Sequence, residues 1–173
     1  ITKIINIENM YICDIGSGAG FPGIVLKIVF PQIKIDLVEA TEKRCNFLKS
    51  VIEKLNLKDI SVINERAEIY SKEVREKYDL VTSRAVAPLK HLLEYSIPLV
   101  KVNGYYVAMK GIVDKELDNI DNYYKKLNIN LVKEIKFLLP QELSNRTLLL
   151  YKKNNITNLK YPRRYNEIKK KDI

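Results

Sequence analysis

The sequence has no tryptophan, one histidine and only two cysteines among its 173 residues. A single histidine, His91, leaves little from which to build a histidine-based catalytic triad or a zinc site. Cys13 and Cys45 lack metal-ligand spacing, and two cysteines do not make a disulfide framework. We therefore expect both to be small buried residues in a protein of a reducing, cytoplasmic compartment, with no bound metal.

Long hydrophobic runs are also missing. No apolar stretch reaches the roughly 20 residues of a membrane-spanning helix, and residues 1–9 lack the apolar core of a signal peptide. The chain begins just before the first predicted strand, so any N-terminal extension would lie outside this sequence. The length suits one domain, which we place at residues 1–153, followed by a basic tail at residues 154–173.

Acidic residues are scarce at the end of the chain. The formal net charge is +9, and from residue 151 onward eight Lys and Arg face two acids, an excess of six. A basic segment of this kind attracts polyanions. Arg163 and Arg164 can pair with phosphates, and Tyr161 and Tyr165 beside them can stack on bases. We predict an RNA-binding tail, with a purely solubilising tail as the alternative.

Glycine is rare, but four of the six glycines fall in the stretch DIGSGAGFPG at residues 14–23. The stretch follows apolar residues 10–13, which indicates a strand that runs into a glycine turn. The helix expected next points its amide donors and its positive dipole end at this turn. We therefore expect a ligand with a negative group to press on the backbone at Gly16 and Gly18.

Asp14 decides between two ligands for this turn. The spacing of Gly18, Gly20 and Gly23 also matches the weak GxGxxG fingerprint of dinucleotide sites, but a carboxylate at the strand end would repel a pyrophosphate. S-adenosylmethionine offers a carboxylate to the loop and cationic groups to Asp14. An ion pair at about 4 Å is worth roughly 4 kcal/mol at an effective dielectric near 20, which favours S-adenosylmethionine over NAD.

Glu39 is a second mark of a nucleoside site. It follows the β-type run 33–38, about 20 residues past the glycine turn. An acid at the carboxyl end of the second strand is placed to accept both ribose hydroxyls. NAD enzymes share this feature, so Glu39 supports a nucleoside without choosing the cofactor.

Apolar β-rich runs alternate with helical patterns along the chain, which predicts parallel βαβ units. No helix separates the last two predicted strands, so the final strand is expected to enter antiparallel. The fold class is therefore α/β, a Rossmann-like methyltransferase with a seven-stranded, mostly parallel sheet and helices on both faces. The predicted strands are at about 10–15, 33–38, 60–64, 78–82, 103–109, 130–138 and 146–152. The predicted helices are at about 23–30, 42–56, 67–76, 88–100 and 113–127, with Thr41 as the N-cap of the second.

The absence of certain motifs limits which atoms can be the methyl acceptor. The fourth strand is followed by Ser83-Arg84-Ala85-Val86 rather than the Asn/Asp-Pro-Pro-aromatic motif of amino-methylating enzymes. Neither cysteine lies in a loop suited to a thiolate nucleophile. Guanine N7 remains a good candidate, because its in-plane lone pair accepts a methyl group without losing a proton. Such a reaction needs alignment of the reacting atoms and no general base.

The chain resembles the ribosomal RNA small-subunit methyltransferase G family, also called the glucose-inhibited division protein B family. The resemblance covers nearly the whole chain. The matching motifs, in order, are DIGSGAGFPGI at 14–24, LVEATEKRCNFL at 37–48, ERAE at 65–68, TSRAVAPL at 82–89, MKG at 109–111, and the closing KYPRRYNEIKKKDI.

The resemblance implies an S-adenosylmethionine-dependent methyltransferase that forms N7-methylguanosine in the 530 loop of 16S ribosomal RNA, acting on the RNA or the small subunit. It also implies cofactor contacts and a basic cleft. Including the residues argued above, the expected cofactor-binding set is Asp14, Gly16, Gly18, Phe21, Glu39, Ala67, Glu68 and Arg84. The expected RNA-binding set is Arg66, Lys110, Arg163 and Arg164.

No residue is marked as a certain catalyst, and Arg84 and Lys110 are the candidates for orienting the substrate. Three other functions stay open at this point. A methyltransferase for a small molecule would need neither a basic tail nor a basic rim. A nicotinamide oxidoreductase is opposed by Asp14, and an RNA-binding domain without catalysis would not need an intact glycine loop.

Overall fold

The computed structural model of the protein describes residues 1–84, 86–140 and 143–173. Over these residues a seven-stranded sheet has the strand order β3-β2-β1-β4-β5-β7-β6. Its strands are β1 (Tyr11–Ile15), β2 (Lys34–Glu39), β3 (Ile60–Asn64), β4 (Tyr78–Arg84), β5 (Val100–Lys110), β6 (Ile129–Leu138) and β7 (Asn145–Lys153).

The predicted mostly parallel sheet is confirmed. Strands β1 to β5 pair in parallel, whereas β7 runs antiparallel to both β5 and β6. The last strand therefore enters between two earlier ones. The expected turn around Pro140 includes residues 141 and 142, which lie outside the described residues, as does Ala85 after β4.

Helices cover both faces of the sheet. They are α1 (Gly23–Val29), α2 (Glu42–Lys54), α3 (Ala67–Glu73), α4 (Leu89–Ser96), α5 (Asp121–Leu127) and α6 (Tyr165–Lys170), with single 3-10 turns at Ile97–Leu99 and Asp114–Glu116. No helix of the described ranges is long and apolar enough to cross a membrane.

Two helix predictions were wrong in extent, and one helix was not predicted. The helix expected at 113–127 is a 3-10 turn followed by α5, because Asn119 adopts a left-handed backbone with φ 56° between them. The helix expected at 88–100 ends at Ser96, and Pro98 lies in the 3-10 turn that follows. Helix α6 lies in the tail, for which no helix was predicted because its most prominent feature is its basic composition.

The hydrophobic core consists of two clusters, one on each face of the sheet. One joins the inner sides of α1 and α2 to the sheet through residues such as Ile24 and Leu48. The other joins α4 and α5 through residues such as Leu92 and Tyr123, and it includes Tyr161. Cys13 and Cys45 are buried free thiols, as predicted.

Residues 154–173 pack against the body of the protein. Arg75 donates to the carbonyl oxygens of Thr157 and Tyr161, both at 2.8 Å. Tyr161 and Ile168 are buried, with 3% and 2% of their surface exposed. The boundary at residue 153 stays a prediction, but the segment after it contacts Arg75, which follows α3, and Glu94 on α4.

Candidate cofactor and substrate cleft

A cleft of about 1170 Å³ opens at the carboxyl ends of the parallel strands. It lies where the strand order reverses, between β1 and β4, which is where open α/β sheets bind ligands. Its volume exceeds the roughly 300–1,000 Å³ of ordinary small-molecule pockets. The cleft therefore has room for a cofactor together with part of a second molecule.

The glycine loop between β1 and α1 forms one wall. Gly16, Gly18 and Gly20 all have positive φ, at 65°, 56° and 92°. A Cβ placed on Gly18 would meet only the Gly16 carbonyl oxygen at 3.9 Å, so this residue leaves open space. Because Gly16 and Gly18 line the cleft, a ligand can approach the backbone closely there.

Asp14 lies beneath this loop rather than in the cleft wall. Its Oδ2 accepts the Gly23 amide at 3.1 Å, whereas its buried Oδ1 has no partner among the described residues. Gly23 must be a glycine, because a Cβ there would come within 2.8 Å of that carboxylate and 2.3 Å of Leu37. Burial raises the pKa of Asp14 to about 7, although the hydrogen bond from the Gly23 amide and the charge of Arg84 act to lower it.

Glu39 ends β2 beside the same loop and is buried. Its Oε2 accepts the Gly18 amide at 3.0 Å and its Oε1 accepts the Thr41 amide at 2.9 Å. Burial acts to raise the pKa of Glu39, but these two hydrogen bonds and Arg44 outweigh burial, so the pKa lies below its ordinary value. Thr41 is the N-cap of α2 as predicted, but its side chain makes no capping hydrogen bond within the described ranges, and its backbone amide donates to Glu39.

The start of α3 supplies the next part of the wall, formed by Arg66, Ala67 and Glu68. The Arg66 Nε donates to Glu68 Oε1 at 2.6 Å, and its guanidinium lies 4.8 Å from the ring centroid of Tyr165. Arg66 was expected to bind RNA. The structure places it at the α3 end of the cleft, engaged with Glu68 and the tail.

Arg84 and Phe21 face each other across the mouth of the cleft. Phe21 is 47% exposed at the outer side of the glycine loop, and the Arg84 guanidinium lies 5.3 Å from its ring centroid. Arg84 ends β4 and is exposed. Its position on the rim suits a residue that contacts both a cofactor and a larger substrate.

Lys110 lines the cleft but is mostly buried. Its Nζ donates to the Ala87 carbonyl at 2.9 Å and pairs with Glu116 at 2.9 Å. Glu116 also accepts the Leu89 amide at the start of α4. Lys110 therefore fastens the segment after β4 to the end of β5, and the prediction that it contacts RNA gains no direct support from this arrangement.

The two tail arginines separate in the structure. Arg163 forms a two-pronged pair with the fully buried Glu94, from Nε to Oε1 and from Nη2 to Oε2, both at 2.9 Å. Arg164 is exposed, and Glu167 accepts its backbone amide at 3.0 Å. Neither lies among the residues that line the cleft.

Sequence reasoning missed several residues of the cleft. They are His91 and Tyr95 on α4, Phe137, Arg146 and Thr147 on β6 and β7, and Tyr165 and Lys169 on α6. Only Tyr165 had a local signal, through its neighbours Arg163 and Arg164. The others reach the cleft through strand and helix packing that no local pattern indicates.

The observed groups fit S-adenosylmethionine. The open side of Gly18, the Glu39 carboxylate at the end of β2 and the cleft wall at Ala67 follow one another along the cleft. Asp14 supplies an acid with a buried, unpartnered oxygen behind the loop, as judged over the residues described. With the strand order, these features define a Rossmann-like class I methyltransferase.

Known proteins agree with that class. The family model of the rRNA small subunit methyltransferase G matches residues 1–149. A relative of that name from Mycoplasma capricolum is 48% identical over 160 residues, which cover 92% of this chain and 68% of the relative. The chain therefore belongs to the rRNA small subunit methyltransferase G family.

Solved structures show the same fold. A methyltransferase from Pyrococcus furiosus superposes with a TM-score of 0.68 at 19% identity, covering 88% of this chain and 79% of that one. TYW2 from P. horikoshii, solved in complex with MeSAdo, gives a TM-score of 0.65 at 13% identity over 83% of this chain and 56% of that one.

Proposed function

We propose that this chain transfers a methyl group from S-adenosylmethionine to N7 of a guanine in the 530 loop of 16S ribosomal RNA. The observation that carries the proposal is the glycine loop at the carboxyl end of β1, whose open Gly18 lies against the Glu39 carboxylate. Membership of the family supplies the class of substrate. Ribosomal RNA would place the reaction in the cytoplasm.

The proposed cofactor contacts follow the cleft wall. The backbone at Gly16 and Gly18 would hold the amino-acid carboxylate, and Glu39, whose oxygens keep free lone pairs beside two amide bonds, would accept the ribose hydroxyls. Ala67 and Glu68 would face the base. Asp14 would act on the cationic end of the cofactor from behind the loop.

The reaction requires little from the protein beyond alignment of the reacting atoms. When bound, S-adenosylmethionine supplies an electrophilic methyl group, which an in-plane nitrogen lone pair accepts without losing a proton. Arg84 at the mouth of the cleft would orient the substrate, and Phe21 would shield the outer side of the loop. Lys110 would act indirectly, by fixing the segment that follows Arg84 in the chain.

The charge of the cleft favours a polyanionic substrate. Among the residues that the structure describes, six basic and three acidic side chains line it. The basic ones are Arg44, Arg66, Arg84, Lys110, Arg146 and Lys169. A field of this sign attracts RNA phosphates and disfavours a cationic partner. A methyltransferase for a small neutral molecule would gain nothing from it.

Mass mapping of methylated guanosine in 16S ribosomal RNA tests the proposal. We expect one N7-methylguanosine in the 530 loop to disappear when the gene is deleted and to return when it is restored. A Gly18→Val variant, which fills the open side of the loop, should fail to restore it. An unchanged methylation map in the deletion strain would refute the ribosomal substrate, and methyl transfer to a small acceptor would then be tested.

A further inference from the structure

The C-terminal segment returns to the cleft. Among the contacts that hold it are three sets: Arg75 to the carbonyls of Thr157 and Tyr161, the Arg163–Glu94 pair, and a Lys90–Asp172 ion pair. All three lie on the face that carries α3 and α4. Helix α6, which these contacts bracket, is thereby placed over the end of the cleft where α3 begins.

This placement of α6 brings Tyr165 to the cleft. It lines the cleft together with Lys169, and its ring lies 4.8 Å from the Arg66 guanidinium and 4.9 Å from the Lys169 ammonium. Arg66 in turn is hydrogen-bonded to Glu68. An aromatic side chain from the tail is thus fastened to the start of α3.

Tyr95 adds an independent observation. It lies on α4, lines the same cleft and is only 5% exposed. Its hydroxyl is buried and has no hydrogen-bond partner within the described part of the chain. Burying a hydroxyl without a partner is destabilising, so an orphan at the wall of a binding cleft indicates a ligand that satisfies it.

We propose that α6 and α4 complete the nucleoside end of the cofactor site, with Tyr165 covering the adenine base and the Tyr95 hydroxyl hydrogen-bonded to it. The inference rests on the proposed function, because it takes the ligand to be an adenine nucleoside. Adenine offers a Tyr hydroxyl both ring-nitrogen acceptors and an amino donor. The tail is therefore part of the cofactor site as well as a basic extension.

Calorimetry with S-adenosylhomocysteine and with 5′-methylthioadenosine tests the role of Tyr165. Tyr165→Ala should weaken both ligands equally, by about 2- to 12-fold, the range that an aromatic contact is worth. Tyr165→Phe should retain most of the affinity. Asn166→Ala, an exposed change in the same helix, is the matched control and should bind both ligands like the wild type.

The Tyr95 hydroxyl is tested by Tyr95→Phe, which keeps the ring and removes the oxygen. We expect weaker binding of both ligands by about 5- to 150-fold, the range for removal of a hydrogen bond that leaves its partner unsatisfied. Unchanged affinity, with a raised melting temperature of the free protein, would show that the hydroxyl is only an unsatisfied group. That result would overturn the Tyr95 assignment.

The outcomes separate this inference from the proposed function. Failure of the wild type to bind either ligand would overturn both. Normal binding by the wild type and by Tyr165→Ala would overturn the Tyr165 assignment alone. Weakening confined to S-adenosylhomocysteine would place Tyr165 at the amino-acid end, and reduced RNA affinity with normal ligand binding would make it an RNA-binding residue. Either of these results contradicts the inference.

Discussion

Asp14 and Glu39 lie at the ends of neighbouring strands, yet their surroundings push their carboxyl groups in opposite directions. Both are buried, but Glu39 accepts two amide hydrogen bonds on separate oxygens, whereas Asp14 has one oxygen with no partner among the described residues. The pKa of Glu39 is therefore lowered and that of Asp14 is raised to about 7. Glu39 stays charged at neutral pH, whereas Asp14 changes its charge near that pH.

Cofactor affinity should depend on pH through Asp14. The ligand's ammonium group favours the ionised carboxylate, so affinity should rise as pH rises toward 7 and level off above it. Below pH 7 the decrease should approach, at most, about tenfold per pH unit. Calorimetry between about pH 5.5 and 8.5, a window that brackets this pKa, measures the effect, with Asp14→Asn as the variant that should flatten the profile. A flat wild-type profile would show that Asp14 does not sense the ligand's charge.

Glu39 is predicted to serve both the ligand and the loop. Glu39→Ala should weaken cofactor binding by roughly 1–3 kcal/mol, the usual effect of removing charge-assisted hydrogen bonds. It should also destabilise the free protein, because the Gly18 and Thr41 amides lose their acceptor. The exposed neighbour Glu42→Gln is the control. Unchanged affinity in the folded Glu39 variant would exclude a ribose contact.

At the scale of elements, a buried ion pair contributes to holding the tail in place. Glu94 is completely buried on α4, and three side-chain nitrogen atoms of Arg163 donate to it or to the nearby Lys171 carbonyl. Removing one member of such a pair leaves a buried charge without compensation. Arg163 therefore links α6 to α4, and its side chain is engaged in these contacts rather than in binding a ligand at the surface.

Arg163→Ala should lower the free energy of unfolding by about 3–5 kcal/mol, the cost of an uncompensated buried charge. Arg164→Ala, at the next and exposed position, should change it by less than about 0.5 kcal/mol. Urea unfolding followed by circular dichroism measures both. Adding Glu94→Gln to Arg163→Ala should recover part of the stability. Equal stability of the two single variants would contradict the structural role of Arg163.

The elements differ in how far their sequence predicts them. The glycine loop, Glu39 and the antiparallel last strand were predicted because each depends on a local pattern: turn chemistry, strand-end position, or the lack of an intervening helix. Tyr95 and the Arg163–Glu94 pair were not, because they depend on which surfaces α4 and the tail present to each other. Asn119 interrupts the helix that was predicted at 113–127. Its left-handed backbone conformation cannot be read from the composition of that segment.

At the scale of the whole molecule, basic side chains lie both in the cleft and on the tail outside it. Some basic side chains line the cleft, and Arg164 lies outside it on the tail. Arg84 is an exposed cation at the cleft mouth, next to Phe21. Affinity for RNA and the rate of methyl transfer should therefore respond to different substitutions.

Arg164→Ala should weaken RNA binding and flatten its salt dependence, by up to about 0.7–0.9 in log–log slope for each phosphate that the variant no longer neutralises. Cofactor affinity should be unchanged. Arg84→Ala should instead lower the single-turnover rate far more than RNA affinity. Filter binding across salt concentrations and single-turnover assays distinguish the two. An Arg164→Ala variant with wild-type kinetics at every salt concentration would mean that Arg164 does not contact RNA.

The position of β7 has a consequence for synthesis. Strand β7 lies between β5 and β6, which both precede it in the chain. Until Asn145–Lys153 leaves the ribosome, β6 lacks the strand with which it pairs, and β5 exposes the edge that β7 will cover. The nascent protein therefore holds an open β edge until Asn145–Lys153 is made, and closing that edge joins distant parts of the chain.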